Sequence, residues 1–378
     1  MRNASQHILF IATEYAAGMR PYADTIIHAL WQPGDHVLIV AKDDSVKHDF
    51  DDLPADSVTW VDYPVSKFKK LAFRFWPSRL FDTIKQIIAD GGIQLIYSLT
   101  GELVLVNGCQ QLQHMAPLLY TIHDAVGHDS KFDGVVTWLK HQLLVAWPQR
   151  RLIRMTRHQI TNSKPQQQLV KEQFPYHNVY YAPFPTLVTD AIVQGNARVP
   201  ELANVPDGYI LFFGNLQLYK GVHLLYEAYR SHRELQQRPL VIAGAGYIYF
   251  ERNSEDEEFL IFLNRFIDDS ELKDLFSRAA VVVYPYISAT QSGVASIASF
   301  FNKPMVLSDL PFFKQSCDGS AGVEFFTTGD SESLAAAITR SLQSPDASTR
   351  PLYDREYTSE ALCSSLNQIL SQVLTSRK

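Results

Sequence analysis

The stretch Tyr209-Ile-Leu-Phe-Phe-Gly-Asn-Leu-Gln-Leu-Tyr-Lys-Gly221 decides the fold. Its opening apolar run is the pattern of a strand buried on both faces. Gly214 lets the backbone turn tightly at the strand end. A helical pattern, Gly221–His232, follows at once. Lys220 thus sits where a helix begins, and its ammonium and the helix N-terminus can address one anion, a diphosphate for instance. The same lysine also reads as an ordinary surface residue of a strand–helix loop.

The same alternation runs outward in both directions. Upstream, His7–Tyr15, His36–Ala41, Val58–Tyr63, Ile93–Thr100, Pro117–Asp124, Gln159–Ser163 and Val179–Pro185 read as strands. Amphipathic stretches such as Ser78–Asp90, Asp133–Ala146 and Pro165–Phe174 lie between them. Downstream, Pro239–Gly246, Leu260–Ile267, Val281–Tyr286, Pro304–Asp309 and Gly322–Thr327 are expected strands. Helices are expected at Ser270–Arg278, Gly293–Phe301, Ser331–Leu342 and Ser359–Leu374. Buried strands alternating with helices predict α/β architecture with parallel sheets.

Residues 187–207 break the rhythm and read as a linker between an N-terminal domain, 1–186, and a C-terminal one, 208–356. The last helix, within 357–378, follows no strand and is expected to pack across both domains. Two Rossmann-like domains in tandem would face each other across a cleft. Ligands of open parallel sheets bind beyond the carboxyl ends of the strands, so chemistry is sought there.

Bulk composition sets limits. The chain has 378 residues, 46% hydrophobic and 20% charged, enough for two full cores. No apolar run is long enough to span a bilayer. Ile8–Ala12, followed by Glu14, reads as a buried strand rather than a signal peptide. Cys109, Cys317 and Cys363 have no metal-ligand spacing, which suits a reducing cytoplasm. The net charge of −6 argues against a nucleic-acid binder. Residues 1–185 hold 18 basic and 17 acidic side chains against 16 and 23 in the rest, so the acidic excess lies in the second half.

Five further stretches stand out. Ser288-Ala-Thr-Gln-Ser-Gly-Val294 places small hydroxyl residues and a glycine before a helix, which suits phosphate oxygens or an ordinary N-cap. Thr121-Ile-His-Asp-Ala-Val-Gly-His128 puts His123 and Asp124 at a strand end, to bind sugar hydroxyls and move protons, or to serve as structural and capping residues. Gly244-Ala-Gly246 fails as a dinucleotide fingerprint and marks a tight loop. Two basic and aromatic clusters, Lys67–Arg79 and Trp147–Arg157, read either as solvated faces or as a weak contact with an anionic bilayer.

The order of these motifs resembles family 4 of the retaining glycosyltransferases, which have the GT-B fold of two Rossmann-like domains. The resemblance covers nearly the whole chain and is strongest over Tyr209–Asp309. Phe212 to Gly221, Leu240 to Gly246 and Asp268 to Tyr286 are similar to the family's successive strand and helix motifs. Ala289-Thr-Gln-Ser-Gly-Val294 and Asn302-Lys-Pro-Met-Val-Leu-Ser-Asp309 resemble a subset found in bacterial polysaccharide pathways.

The resemblance implies a hexosyltransferase-like enzyme. It would move a sugar from a nucleotide-sugar donor to a glycan or lipid-linked acceptor, in the cytoplasm or at the inner face of the membrane. Lys220 would pair with the donor diphosphate, and His123 and Asp124 would serve at the sugar. Gly18, Gly214, Asn215, Gly244, Gly246 and Ile267 would join the donor site. So would Thr290, Gln291 and the Ser292-Gly293-Val294 backbone. No cofactor and no metal are expected.

Three departures accompany it. The family's two glutamates correspond to Ala289 and Ile297, its arginine after the strand glycine to Asn215, and its first glycine pair to Ala17-Gly18. A catalytically impaired binding or scaffold protein of the same fold is the alternative reading.

Overall fold

The computed structural model describes residues 6–16, 19–100, 102–125, 142–253, 259–289, 292–344 and 347–376. The chain divides into two compact units, Met1–Pro185 with Ser359–Lys378, and Thr186–Thr358.

The first unit holds β1 (His7–Ala12), β2 (His36–Ala41), β3 (Val58–Asp62), β4 (Ile93–Thr100), β5 (Leu118–Ile122), β6 (His158–Thr161) and β7 (Asn178–Tyr181). They form one parallel sheet in the order β3-β2-β1-β4-β5-β6-β7. Successive side chains of a strand point to opposite faces, and β1 shows what that does here. Ile8, Phe10 and Ala12 join one core, and Leu9 and Ile11 join the core on the other face. A strand apolar at every position therefore needs cover on both sides. The described helices of this part are α1 (Met19–Leu30), α2 (Lys67–Phe75), α3 (Ser78–Asp90), α4 (Glu102–Leu105), α5 (Cys109–Met115), α6 (Trp147–Met155) and α7 (Lys164–Gln173). A π-helical turn, Gln142–Ala146, leads into α6. Of the expected helix Asp133–Ala146, residues 133–141 lie outside the described residues.

The second unit holds β8 (Tyr209–Phe213), β9 (Leu240–Ala243), β10 (Leu260–Leu263), β11 (Ala279–Tyr284), β12 (Met305–Ser308) and β13 (Val323–Phe326). Their order is β10-β9-β8-β11-β12-β13, again all parallel. Its helices are α8 (Asp190–Gln194), α9 (Val222–Ser231), α10 (Leu272–Ser277), α11 (Val294–Phe300), α12 (Pro311–Cys317), α13 (Ser331–Gln343) and α14 (Arg350–Glu356). Prolines at the first turns of α12 and α14 are pre-organised helix starters.

Two expected segments differ in the structure. Residues 187–207, read as a linker, pack as part of the second unit, with Ile192, Val199 and Leu202 in its core. Asp274 accepts from Val199 N at 2.9 Å and from Arg198 at 2.9 Å, which holds the segment down. Single buried apolar residues, irregularly spaced, leave no periodic signal. The last helix, α15 (Ser359–Thr375), groups with the first unit. Leu362, Leu366, Ile369, Leu370 and Val373 share one stripe and enter the core beside Ile8 and Phe10. Cys363 Sγ donates to Ala29 O of α1 at 3.3 Å. Among the described residues no helix is long and apolar enough to cross a membrane.

His28 on α1 carries a pH dependence. It faces Asp24 and Asp52 and stacks on Phe50 with ring centroids 5.2 Å apart. Asp24, then Asp52, push its pKa up to about 9 against the effect of partial burial. A histidine raised in the folded state stabilises fully below its unfolded pKa, about 6.5, and loses that contribution as pH climbs through the folded value. Urea unfolding of the wild type should therefore weaken between about pH 6.5 and about pH 9. In His28→Gln this part of the slope should be absent.

Candidate functional site

The second sheet reverses its strand order beside β8: β9 lies on one side and β11, reached only later in the chain, on the other. The loops leaving β8 and β11 lie beyond the carboxyl ends of these strands, the place where doubly wound sheets bind ligands. Lys220 sits at this switch point.

Three backbone constraints shape it. Gly221 has φ +66°, and a β-carbon there would lie 1.9 Å from Pro285 O. The close approach lets Ile287 N donate to Tyr219 O at 2.7 Å, lacing the β11 loop to the β8 loop. On the other side, a β-carbon at Gly244 would lie 2.1 Å from Gly214 O, and one at Gly246 would lie 2.5 Å from Leu216 O. Gly214 N donates to Ala243 O at 3.0 Å and Leu216 N to Ala245 O at 2.9 Å. Gly244 and Gly246 thus serve loop-to-loop contact.

Lys220, half-buried, is held by aromatic groups. Its Nζ donates to Tyr286 Oη at 3.0 Å and lies 5.0 Å from the Tyr286 ring centroid and 5.8 Å from that of Tyr219. A β-carbon on Gly214 would stand 3.1 Å from this Nζ, so the glycine leaves the ammonium room. Among the described residues no carboxylate pairs with Lys220. Burial pulls its pKa down, but Tyr286 and Tyr219 outweigh that, and the net direction is upward. At neutral pH it is a cation. Arg265 of the same unit is, by contrast, saturated by Glu201 and Glu271.

The other expected donor residues fall as follows. Asn215 is exposed on the β8 loop. Ser292 is half-buried, and Gly293 and Val294 are buried at the start of α11, on the loop that carries Tyr286. Ile267 is in the core, so its side chain is withheld from any ligand. Gly18, Thr290 and Gln291 lie outside the described residues. Ile297 is 3% exposed and Ala289 packs on the core, so apolar contacts fill the positions that correspond to the family's acids.

His123 and Asp124 belong to the first unit, at the end of β5. His123 Nε2 donates to Leu99 O at 2.7 Å, and its ring meets Tyr22 edge-on at 4.8 Å. Burial lowers its pKa, opposed by the Leu99 carbonyl and by Glu14 and Asp124, so the imidazole is neutral at pH 7. Gln166 donates to His123 O at 3.3 Å, and the Gln149 amide donates to Asp124 O.

Comparison with known proteins places this geometry. Residues 207–344 match the family described as "Glycosyl transferases group 1". The chain is similar in structure to sucrose-phosphate synthase from Thermosynechococcus elongatus, with TM-score 0.67 and 17% identity over 98% of this chain and 100% of that one. This is the GT-B fold. Another GT-B likeness is Anabaena Alr3699/HepE in complex with UDP-glucose, with TM-score 0.67 and 17% identity over 97% of this chain and 99% of that one. A third is α,α-trehalose 6-phosphate synthase from Burkholderia multivorans, with TM-score 0.64 and 15% identity over 99% and 100%. No curated protein matches the chain by sequence.

Sequence reasoning missed Tyr219 and Tyr286, which hold Lys220. It also missed Tyr247 and Phe266, 82% and 76% exposed beyond the ends of β9 and β10. The signal was present: aromatic residues just after buried strands, where ligands of this architecture bind.

Gly221→Ala tests the lacing. A left-handed non-glycine residue costs about 1–2 kcal/mol before any clash. The variant should melt several degrees lower in a thermal scan; a wild-type melting temperature would show that the loops do not depend on this glycine.

Proposed function

We propose that the chain is a glycosyltransferase whose second unit binds a nucleoside-diphosphate sugar with the diphosphate against Lys220. The observation that carries the reading is a half-buried ammonium at the sheet's switch point, gripped by two tyrosines and without a carboxylate partner among the described residues. Such a group lacks its counter-charge, and a diphosphate would supply it.

The chemistry follows from that placement. As the bond from the anomeric carbon to the diphosphate oxygen breaks, negative charge grows on the leaving group. Lys220, already oriented by Tyr286, stabilises that charge without reorganisation. This role needs no metal. The acceptor hydroxyl attacks the face from which the diphosphate departs and passes its proton to the departing oxygen, so the anomeric configuration is retained. Tyr247 and Phe266 offer exposed rings for stacking the base. His123, neutral and fixed through Leu99, together with Asp124, is assigned to the sugar hydroxyls. The acceptor is a glycan or a lipid-linked glycan of bacterial cell-surface polysaccharide synthesis, and the enzyme works in the cytoplasm.

A second reading has its own observation. Ile297 is packed in the core and Ala289 against it, which suits a GT-B binding protein that supports a partner transferase.

Calorimetry with UDP on the wild type and Lys220→Ala is the test. A hydrogen bond to a charged group is worth about 1.5–3 kcal/mol, so affinity should fall about 10- to 150-fold with the melting temperature unchanged. Equal affinity in both proteins would remove the assignment. Transfer from a UDP-sugar in the wild type, lowered about 10²–10³-fold in the variant, separates the enzyme from the scaffold.

A further inference from the structure

Strand β10 is an edge of the second sheet, two strands out from β8. Neighbouring strands lie about 4.8 Å apart, so its end stands roughly 10 Å to the side of the loop that carries Lys220. A nucleotide whose diphosphate meets Lys220 and whose ribose crosses the end of β9 brings its base to this place. Tyr247 and Phe266 stand exposed there, on the loops that follow β9 and β10.

One polar side chain of this stretch, Asn264, is pinned in both backbone and side chain. Leu263 O, the last carbonyl of β10, accepts from Gly244 N at 3.0 Å and from Arg265 N at 2.9 Å. The second bond closes a three-residue turn with Asn264 at its centre, a turn common at strand ends. Gly246 N donates to Asn264 Oδ1 at 3.0 Å. Leu216 N donates in turn to Ala245 O, so the loops after β8, β9 and β10 are laced in series. The neighbouring Arg265 is taken by Glu201 and Glu271, and it also donates to Phe266 O at 3.1 Å. It therefore steadies Phe266 and does not compete for a ligand.

These bonds decide which end of the Asn264 carboxamide is offered. A backbone N–H only donates, so the oxygen turns to Gly246 and the amino group is left over. Among the described residues that Nδ2 meets no acceptor, and the residue is exposed. The surface thus presents a neutral donor of fixed orientation on the stretch that carries two exposed rings. A pyrimidine carries at position 4 either a carbonyl acceptor, in uracil and thymine, or an amino donor, in cytosine. That position lies across the ring from the ribose, which puts it at the outer edge of the sheet, where Asn264 is.

We propose that Asn264 selects the base of the donor, its Nδ2 donating to the 4-carbonyl of a uracil and discriminating against the 4-amino group of a cytosine. The inference rests on the reading that Lys220 holds the diphosphate. It adds the class of donor, a uridine diphosphate sugar, and the residue that recognises it.

Calorimetry with UDP and CDP, which differ at that one position, tests it in the wild type, Asn264→Asp and Lys220→Ala. Aspartate keeps an oxygen for Gly246 N and exchanges the donor for an acceptor. The wild type should bind UDP about 2- to 12-fold tighter than CDP, the range one neutral hydrogen bond supplies. In Asn264→Asp the new negative charge weakens both nucleotides, and the UDP-to-CDP ratio should fall to about one or below, because a carboxylate accepts from the cytosine amino group. Lys220→Ala should weaken both nucleotides alike and leave the ratio as it is. A ratio is insensitive to any fraction of a variant that fails to fold. UDP binding that depends on Lys220 with a ratio unmoved in Asn264→Asp would overturn the role of Asn264 alone, as would a wild type that does not distinguish the two nucleotides. A ratio that responds to Asn264 with UDP affinity unchanged in Lys220→Ala would strike the diphosphate reading and keep the base contact. No binding of either nucleotide would overturn both.

Discussion

Pro285 O occupies the space a side chain on Gly221 would need. That approach joins the loops after β8 and β11, two strands that are neighbours in the sheet and distant in the chain. Tyr219 and Tyr286 come with those loops, and Lys220 is held by both. The placement of the ammonium is thus a backbone property before it is a side-chain one. Gly244 and Gly246 repeat the device one strand over, where the carbonyls of Gly214 and Leu216 fill the volume of absent β-carbons.

The two sheets solve one packing problem alike. Strands such as β1 and β2 are apolar at consecutive positions, so each divides its residues between two cores. Such a strand is unstable at a surface, and helices must cover both sides. Right-handed crossovers then bring parallel strands together and leave a reversal of order beside the first strand of each sheet. The ammonium of the second unit sits at such a reversal for that reason. Topology supplied the location, and side chains supplied the chemistry.

Much of this was legible in the sequence because strand burial and strand-end glycines are local signals. The run Tyr209–Phe213 and the glycine after it announced strand, turn and helix start. The packing of residues 187–207 was hidden, since Ile192, Val199 and Leu202 are buried one at a time and follow no period. The partnership of Lys220 with Tyr286 spans 66 residues and depends on strand order, which periodicity does not encode. Ile267 looked like a ligand neighbour by position, yet the core claims its side chain. The two basic and aromatic clusters were visible separately, and only the packing of α2 and α6 on α4 brings them together.

The return of α15 to the first unit has a consequence for synthesis. Leu362, Leu366, Ile369, Leu370 and Val373 complete a core that begins with Ile8 and Phe10. While the ribosome is still making the second unit, the first sheet carries an uncovered apolar flank that its own early residues do not close. The second unit, made of the continuous segment Thr186–Thr358, has all its strands in hand before that helix emerges. The half of the chain translated first is therefore the half that finishes folding last.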